Sequence, residues 1–117
     1  MIVVQITMNV LPDKQKELVQ TLLSMIEPTG KEAGCLRYSV FSNIEDKNCF
    51  VLLEEWETRE HLENHIRSHR FGVLLGSKTL LCEPAKIQIN TVSHIEDADT
   101  VDAVRKRVFQ KELYDTC

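Results

Sequence analysis

The sequence predicts one α+β domain of the ferredoxin-like type, with strands and helices in the order βαββαβ and one further helix after the fourth strand. Three observations predict it. Residues 2–11 alternate between apolar and polar side chains, which is the period of a strand. Apolar side chains then recur at helical spacing in two later segments. The order of segments matches the split βαβ arrangement, in which two helices cover one face of a four-stranded antiparallel sheet.

The first strand and first helix are predicted from their apolar periods. The strand has apolar side chains on one parity: Ile2, Val4, Ile6, Met8 and Val10. After Pro12, Asp13 is a suitable N-cap, and the helix that follows has an apolar stripe: Leu18, Leu22, Met25 and Ile26. We expect Pro28 to kink or end this helix, because proline lacks the amide donor.

Two strands joined by a hairpin come next. In the second strand, Leu36, Tyr38 and Val40 alternate with polar residues, and the polar segment 42–48 predicts the loop. Residues 50–56 form the third strand. Because Val51, Leu52 and Leu53 are apolar on both parities, we predict a central strand covered on both faces.

The remaining segments complete the domain. Thr58 is the predicted cap of a short helix that carries Leu62 and Ile66, and residues 71–81 are helical or irregular up to Pro84. A fourth strand is predicted at 86–93. Beyond an acidic linker, Val101, Val104 and Val108 recur at helical spacing and predict a tail helix.

Length and charge limit the classes of protein. With 117 residues, we expect one domain at 1–94, and a linker and helix at 95–117 that packs on the domain or on a partner subunit. A net charge of -4 argues against nucleic acid or an anionic membrane as a partner. Residues 1–10 contain no basic leader and no transmembrane pattern, so we expect a cytoplasmic protein.

The four cysteines show no pairing or metal-ligand pattern. Cys35, Cys49, Cys82 and Cys117 form no CxxC motif, so free thiols are expected in a reducing compartment, with a disulfide framework as the less favoured alternative.

The sheet predicts self-association. A sheet covered by helices on one side has a second face, and the apolar content of residues 50–53 indicates that this face must also exclude water. A second copy of the same surface is the simplest partner, so we predict a homodimer through the sheet face.

Four runs of residues resemble a known family: GCLRY at 34–38, FVLLEEW at 50–56, HLENHI at 61–66 and HRF at 69–71. Over residues 1–92 the chain is similar to the antibiotic-biosynthesis monooxygenase domain, particularly to its quinol monooxygenase members. The most specific part is Glu-x-Trp-Glu at 54–57, followed closely by two histidines.

The resemblance implies a dimeric α+β barrel with a pocket between the sheet and the helices of each subunit. Enzymes of the family oxygenate phenolic or quinol-like substrates with dioxygen and without flavin or metal, so no cofactor is expected; other members have no assigned activity. Haem-degrading relatives use an asparagine, a tryptophan and a histidine where this chain has Thr7, His65 and Leu75. We therefore expect no haem breakdown.

The histidines are the candidate catalytic residues. His61, His65 and His69 are spaced by four, as metal ligands on one helix face would be, but the family pattern breaks the helix near Ser68, so we predict no metal site. His65 and His69 are the candidate general bases for a phenolic proton. The alternative is that His65 only packs against Trp56 or caps a helical turn.

The candidate substrate-binding residues are Trp56, Tyr38, Phe71, Asn64 and Glu54. Trp56 either fills the core or forms a pocket wall, and Tyr38 either orients a substrate or packs. Glu54 shares its parity with Trp56, and a buried carboxyl group must be paired or protonated. We expect Arg37 or a histidine as its partner, with structural pairing as the alternative to catalysis.

Three functions remain open. The first is a cofactor-independent monooxygenase acting on a small phenolic or quinol-like compound, with His65 or His69 as base. The second is a non-catalytic dimeric module that binds a small molecule or a partner. The third is an isomerase or lyase acting on an enolisable substrate, which would use the same base without oxygen.

Overall fold

The computed structural model describes residues 1–115, and the side chains of residues 1–107. The elements are, in order, β1 (Ile2–Asn9), α1 (Gln15–Gly30), β2 (Cys35–Ser42), β3 (Cys49–Trp56), α2 (Arg59–Ile66), α3 (His69–Gly76), a 3-10 turn (Ser77–Leu80), β4 (Lys86–Thr91) and α4 (Ala98–Asp115). The four strands form one antiparallel sheet in the order β2-β3-β1-β4. This confirms the predicted ferredoxin-like α+β fold.

The core lies between one face of the sheet and the helices. On β1, the side chains of alternate residues from Ile2 to Met8 are buried, and on β3 those of alternate residues from Phe50 to Trp56 are buried beside them. Helix α1 covers this face with Leu18, Leu22 and Met25. Because β1 pairs with β3 in register from Ile2↔Trp56, the end of β3 that carries Glu54 and Trp56 lies beside the start of β1.

The opposite face of the sheet is not covered by a helix. Its apolar side chains come mainly from β2 and β3, where Val51 and Leu53 are half-buried and Phe41 is exposed. The same face carries polar residues of β1 and β4, such as Gln5 and Gln88. The predicted second apolar face is thus an apolar patch at β2 and β3 with a polar border.

Two details at the ends of α1 refine the prediction. The N-cap is Lys14 rather than Asp13, and it makes no side-chain capping hydrogen bond. Helix α1 also continues two residues past Pro28. Only one amide donor is lost there, and the amides of Lys31 and Glu32 donate to the carbonyls of Pro28 and Thr29, which closes the final turn.

The break between α2 and α3 is built from caps. As predicted, Thr58 caps α2, and its hydroxyl accepts from the amide of His61. Ser68 then ends α2 and caps α3, because its hydroxyl accepts from the amide of Phe71. This confirms the predicted interruption near Ser68, which makes α2 and α3 two separate helices.

Several expectations concern the rest of the chain. Cys35, Cys49 and Cys82 are free thiols, whereas Cys117 lies outside the described residues. On α4, Val101 and Val104 are exposed, and the side chain of Val108 is not among those described. Within residues 1–115, none of the helices combines the length and the apolar character needed to cross a bilayer.

Candidate active site

His65 is the centre of a buried cluster beneath α2. The interruption at Ser68 leaves His65 on the inner side of the last turn of α2, where its side chain is only 1% exposed. Its ring stacks on Trp56 with a centroid distance of 4.6 Å. The rings of Tyr38 and Phe71 meet it edge-on at 6.1 and 5.4 Å. Four of the predicted site residues therefore meet in one aromatic cluster.

One ring nitrogen of His65 is held by an ion pair. Nδ1 lies 2.9 Å from Oε2 and 3.1 Å from Oε1 of Glu32, which follows α1 in the chain. The guanidinium of Arg70 donates to the same Oε2 at 2.8 Å. A carboxylate can only accept hydrogen bonds, so the hydrogen of this contact is on Nδ1.

The other ring nitrogen faces a second carboxyl group. Nε2 of His65 lies 3.7 Å from Oε1 of Glu54, a residue of β3 with no exposed surface. The indole N–H of Trp56 donates to the same oxygen at 2.9 Å. Among the described residues, neither Nε2 of His65 nor Oε2 of Glu54 has a hydrogen-bond partner. Two buried polar atoms with unused bonding capacity thus lie in the same cluster.

Burial sets the ionisation of this cluster. Removal from water raises the pKa of Glu54 to about 7, although the Trp56 hydrogen bond works in the opposite direction. Burial lowers the pKa of His65, and the negative charge of Glu32 opposes that effect. Burial, and next the charge of Glu54, raise the pKa of the Tyr38 hydroxyl. Near neutral pH the cluster therefore contains a neutral imidazole and a carboxyl group that can hold or release a proton.

Two predicted site residues lie elsewhere. His69, at the start of α3, is exposed, and Asn64 is exposed on α2, where its amide oxygen accepts from Arg67. Glu54 lies near His65, and a histidine was one of the two partners expected for it. The other expected partner, Arg37, is on the opposite face of the sheet, because it pairs with Glu55 in the register of β2 and β3.

Two cavities are lined in part by residues of α3. One, of about 310 Å³, lies between α3 and the sheet and has an apolar wall that includes Ile6, Met8, Leu74 and Ile87. The other, of about 370 Å³, is lined by residues that include Met25, His69 and Arg70. Neither of these two cavities is lined by His65. The cluster is closed in this conformation, and Phe71 lies one helical turn before Leu74 of the apolar cavity.

Two members of the cluster were absent from the sequence predictions. Glu32 lies in a turn and is separated from His65 by 33 positions, and no periodicity or motif marks it. Arg70 belongs to the run at 69–71 that carried the family resemblance, but its role depends on Glu32. Only the folded positions of α1, α2 and α3 bring these side chains together.

Comparison with known proteins decides the family. The sequence model described as "Antibiotic biosynthesis monooxygenase" matches residues 1–74. The chain belongs to this family. The predicted resemblance is thereby confirmed, and every member of the buried cluster lies within the matched residues.

Two individual relatives match most of this chain. The chain is 30% identical over 88 residues to the "Putative monooxygenase YcnE" of Bacillus subtilis, covering 74% of this chain and 93% of that one. It is 32% identical over 96 residues to the uncharacterized protein sll1783 of Synechocystis, covering 81% of this chain but only 65% of that relative's length.

A solved structure supports the fold. The crystal structure of a "putative antibiotic biosynthesis monooxygenase" from Deinococcus radiodurans superposes with a TM-score of 0.77 at 20% identity, covering 83% of this chain and 97% of that one. At this identity the likeness concerns the fold alone.

Proposed function

We propose that this protein is a cofactor-independent monooxygenase that oxygenates a small phenolic or quinol-like compound with dioxygen. The observation that carries the proposal is the pair of His65 and Glu54. A neutral imidazole with an unused Nε2 faces a buried carboxyl group, and aromatic rings surround both. Groups that exchange protons in enzymes have pKa values near the working pH, and burial moves Glu54, which faces Nε2 of the proposed base His65, into that range.

The residues of the cluster supply proton transfer and a dry environment. His65 Nε2 accepts the hydroxyl proton of the substrate, which leaves an electron-rich phenolate. The phenolate transfers one electron to dioxygen, and the two radicals combine at a ring carbon to give a peroxide anion, which takes back the proton from His65 and becomes a hydroperoxide. Loss of water then yields a quinone, so one phenol and one dioxygen become one quinone and one water. Exclusion of bulk water protects these intermediates.

Access to His65 requires a movement, and Phe71 is the residue we propose to move. Its ring contacts His65, and its helix also supplies Leu74 and Leu75 to the apolar cavity of about 310 Å³. This volume is at the lower end of the range for small-molecule sites. Rotation of Phe71 would join the cavity to the imidazole and place an aromatic substrate against Trp56.

Oxygen consumption tests this proposal. A panel of quinols and polyphenols is incubated with the protein, with catalase present, and oxygen uptake and quinone absorbance are recorded. We expect uptake that falls about 10²- to 10⁴-fold in His65→Gln, the loss typical of a missing general base. His94→Gln is the matched control, because His94 is an exposed histidine of the linker. Equal activity in the His65→Gln and native proteins would contradict the proposal.

A second candidate is a non-catalytic module that binds an apolar small molecule. Two observations favour it. His65 is enclosed within its cluster, and the apolar cavity of about 310 Å³ is lined by other residues. Binding of aromatic ligands is measured by calorimetry for the native protein and for Leu74→Trp, which fills the cavity. Binding that Leu74→Trp abolishes and His65→Gln preserves, with no oxygen uptake, would favour this function over the first.

We further propose that the protein works in the cytoplasm as a homodimer joined through the open sheet face, with α4 packed on the domain or on the partner subunit. The apolar patch at Val51, Leu53 and Phe41 supports the sheet interface, because it is uncovered within one chain. Light scattering should give twice the chain mass of 13.5 kDa. Leu53→Glu should shift the mass toward the monomer, while Gln88→Glu, on the polar border of the face, should not. A monomeric native protein at all concentrations would contradict the proposed interface.

A further inference from the structure

We infer that Glu32 is a positioning residue that fixes His65 in the tautomer with a hydrogen on Nδ1 and a free lone pair on Nε2, and that Arg70 holds Glu32 in place. The role in turnover rests on the proposed function. The tautomer itself is a property of the folded protein and can be measured without a substrate.

Hydrogen bonds hold the backbone of Glu32 on both sides of the residue. Its amide donates to the carbonyl of Thr29 at 3.0 Å, and its carbonyl accepts from the amide of Cys35 at 3.1 Å. The backbone is therefore fixed on both sides of the side chain, even though this residue lies in a turn. The carboxyl group is 22% exposed, so it keeps part of its contact with water beside a buried partner.

The side chain of Glu32 faces Nδ1 of His65. Both carboxylate oxygens of Glu32 lie within hydrogen-bond distance of Nδ1, at 2.9 and 3.1 Å. A neutral imidazole carries one hydrogen, and a carboxylate next to Nδ1 requires that the hydrogen be there. Nε2 is then left as an acceptor, on the side of the ring that faces Glu54.

Arg70 holds the carboxylate of Glu32 from the other side. Its guanidinium donates to Oε2 of Glu32 at 2.8 Å, so the carboxylate is bound from two sides. The positive charge of Arg70 and the negative charge of Glu32 also act on His65 in opposite directions, which limits how far either of them alone changes its protonation. The other ionisable groups around the ring are Glu54 and Tyr38, and both pKa values are raised by burial. The ring is thus oriented by an ion pair without being forced into the charged form.

The alternative tautomer would leave the cluster badly matched. With its hydrogen on Nε2, the ring would present a lone pair on Nδ1 to the Glu32 carboxylate, and two acceptors would meet at about 3 Å with no hydrogen between them. That arrangement loses a charge-assisted hydrogen bond in a buried site. It would also remove the only ring atom that could accept a proton on the Glu54 side.

The experiment is NMR spectroscopy of the ¹⁵N-labelled full-length chain at pH 7.5, with two-bond correlations between ring protons and ring nitrogens. The signals of His65 are assigned by their absence in His65→Gln. We expect a protonated Nδ1 and an unprotonated Nε2 in the native protein. A native ring with its hydrogen on Nε2 would overturn the inference without the need for any variant.

Two variants extend the test. In Glu32→Gln, the amide group can turn its NH₂ toward Nδ1, so we expect the hydrogen to move to Nε2 in a large fraction of molecules. Glu32→Asp keeps the carboxylate and should retain the native tautomer. Glu57→Gln, which changes an exposed glutamate, is the matched control. An unchanged tautomer in Glu32→Gln would contradict the positioning role.

Activity separates this inference from the proposed function. If the protein is an oxygenase, Glu32→Gln should lower kcat by about 10-fold or more with a similar KM, because the proton acceptor is lost in most molecules but the binding surface is not; the 10²- to 10⁴-fold loss of a missing base is the upper limit. A tautomer that depends on Glu32 in a protein without oxygenase activity would support the positioning role and contradict the proposed function. Full oxygenase activity in Glu32→Gln with an unchanged tautomer would do the reverse.

Discussion

Replacement of Glu54 by glutamine should change how the stability of this protein depends on pH. Glutamine has the shape of a protonated glutamate, and its side-chain oxygen can accept from the Trp56 indole as Glu54 does. Its NH₂ group can donate toward Nε2 of His65. The variant therefore keeps the packing of the cluster and removes one ionisable group, so the difference between the two proteins reports on the ionisation of Glu54.

The sign follows from the direction of the pKa shift. The pKa of Glu54 is raised from 4.5 to about 7 in the folded protein. Between these values the folded state binds more protons than the unfolded state, so the free energy of unfolding falls as pH rises. At about 1.4 kcal/mol per pKa unit, the loss is of the order of 3 kcal/mol by pH 8. Glu54 is fully buried, so solvent does not screen this effect.

His65 acts in the opposite direction at lower pH. Its pKa is lowered in the folded state, so its contribution is lost as pH falls below the unfolded value of 6.5. Both proteins contain His65, and the comparison between them largely cancels its contribution. What remains is the advantage of Glu54→Gln over the native protein, which should be small at pH 5 and grow by about 2–3 kcal/mol by pH 8.

Urea unfolding monitored by the fluorescence of Trp56, the single tryptophan, measures this at half-unit intervals from pH 5 to pH 8. Glu55→Gln is the matched control, because Glu55 is the next residue of β3 and lies on the opposite face of the sheet. Its curve should run parallel to that of the native protein. Parallel curves for Glu54→Gln and native protein would show that Glu54 is ionised in the fold throughout, and the reasoning about the cluster would be wrong.

Two further predictions concern the surroundings of the cluster. Trp56→Phe removes the donor to Glu54 and leaves a cavity, and should lower the free energy of unfolding by at least about 2 kcal/mol, more at pH 8 than at pH 5. Because this variant lacks the single tryptophan, its urea unfolding and that of the native protein are followed by far-UV circular dichroism. Gly34→Ala should cost at least about 1–2 kcal/mol, because Gly34 has a φ of +78° and a Cβ there would collide with the ring of His61. Gly30→Ala, where a Cβ meets nothing within 4 Å, should change stability by less than 1 kcal/mol. Equal effects of the two glycine substitutions in thermal unfolding would contradict this reading of Gly34.

The fold could be predicted because its signals are local. The alternation of residues 2–11 and the stripe that begins at Leu18 report directly which side of each element is buried. Thr58 predicted the start of α2, because its hydroxyl group can accept a hydrogen bond from an amide of the first helical turn. The predictions were wrong where another contact outweighed the preference of a residue for a local structure. Asp13 is a good cap in isolation, but Lys14 occupies the N-cap, and the amide of Lys14 donates to the carbonyl of Leu11 instead.

The site was predictable only in part, for a physical reason. Glu54 and Trp56 are two residues apart on β3, so their side chains lie on the same face of the sheet. The alternation of side chains along a strand is enough to predict this. The contacts of His65 with Glu32 and Arg70 depend on how α1, α2 and α3 are oriented relative to one another. A turn residue such as Glu32 has no periodic pattern, so nothing in the sequence connects it with a histidine 33 positions away.

The presence of Glu54 in the core is itself an argument about function. A leucine of similar size at this position would pack beside Trp56 without the cost of removing a carboxylate from water. With the pKa raised to about 7, the native side chain lowers stability at every pH above 4.5. Its single hydrogen bond to the Trp56 indole leaves Oε2 without a partner among the described residues, so bonding within the cluster does not offset that cost. What the carboxyl group provides that a leucine could not is a proton beside Nε2 of His65, and this is the reason to look for acid–base chemistry here before any other function.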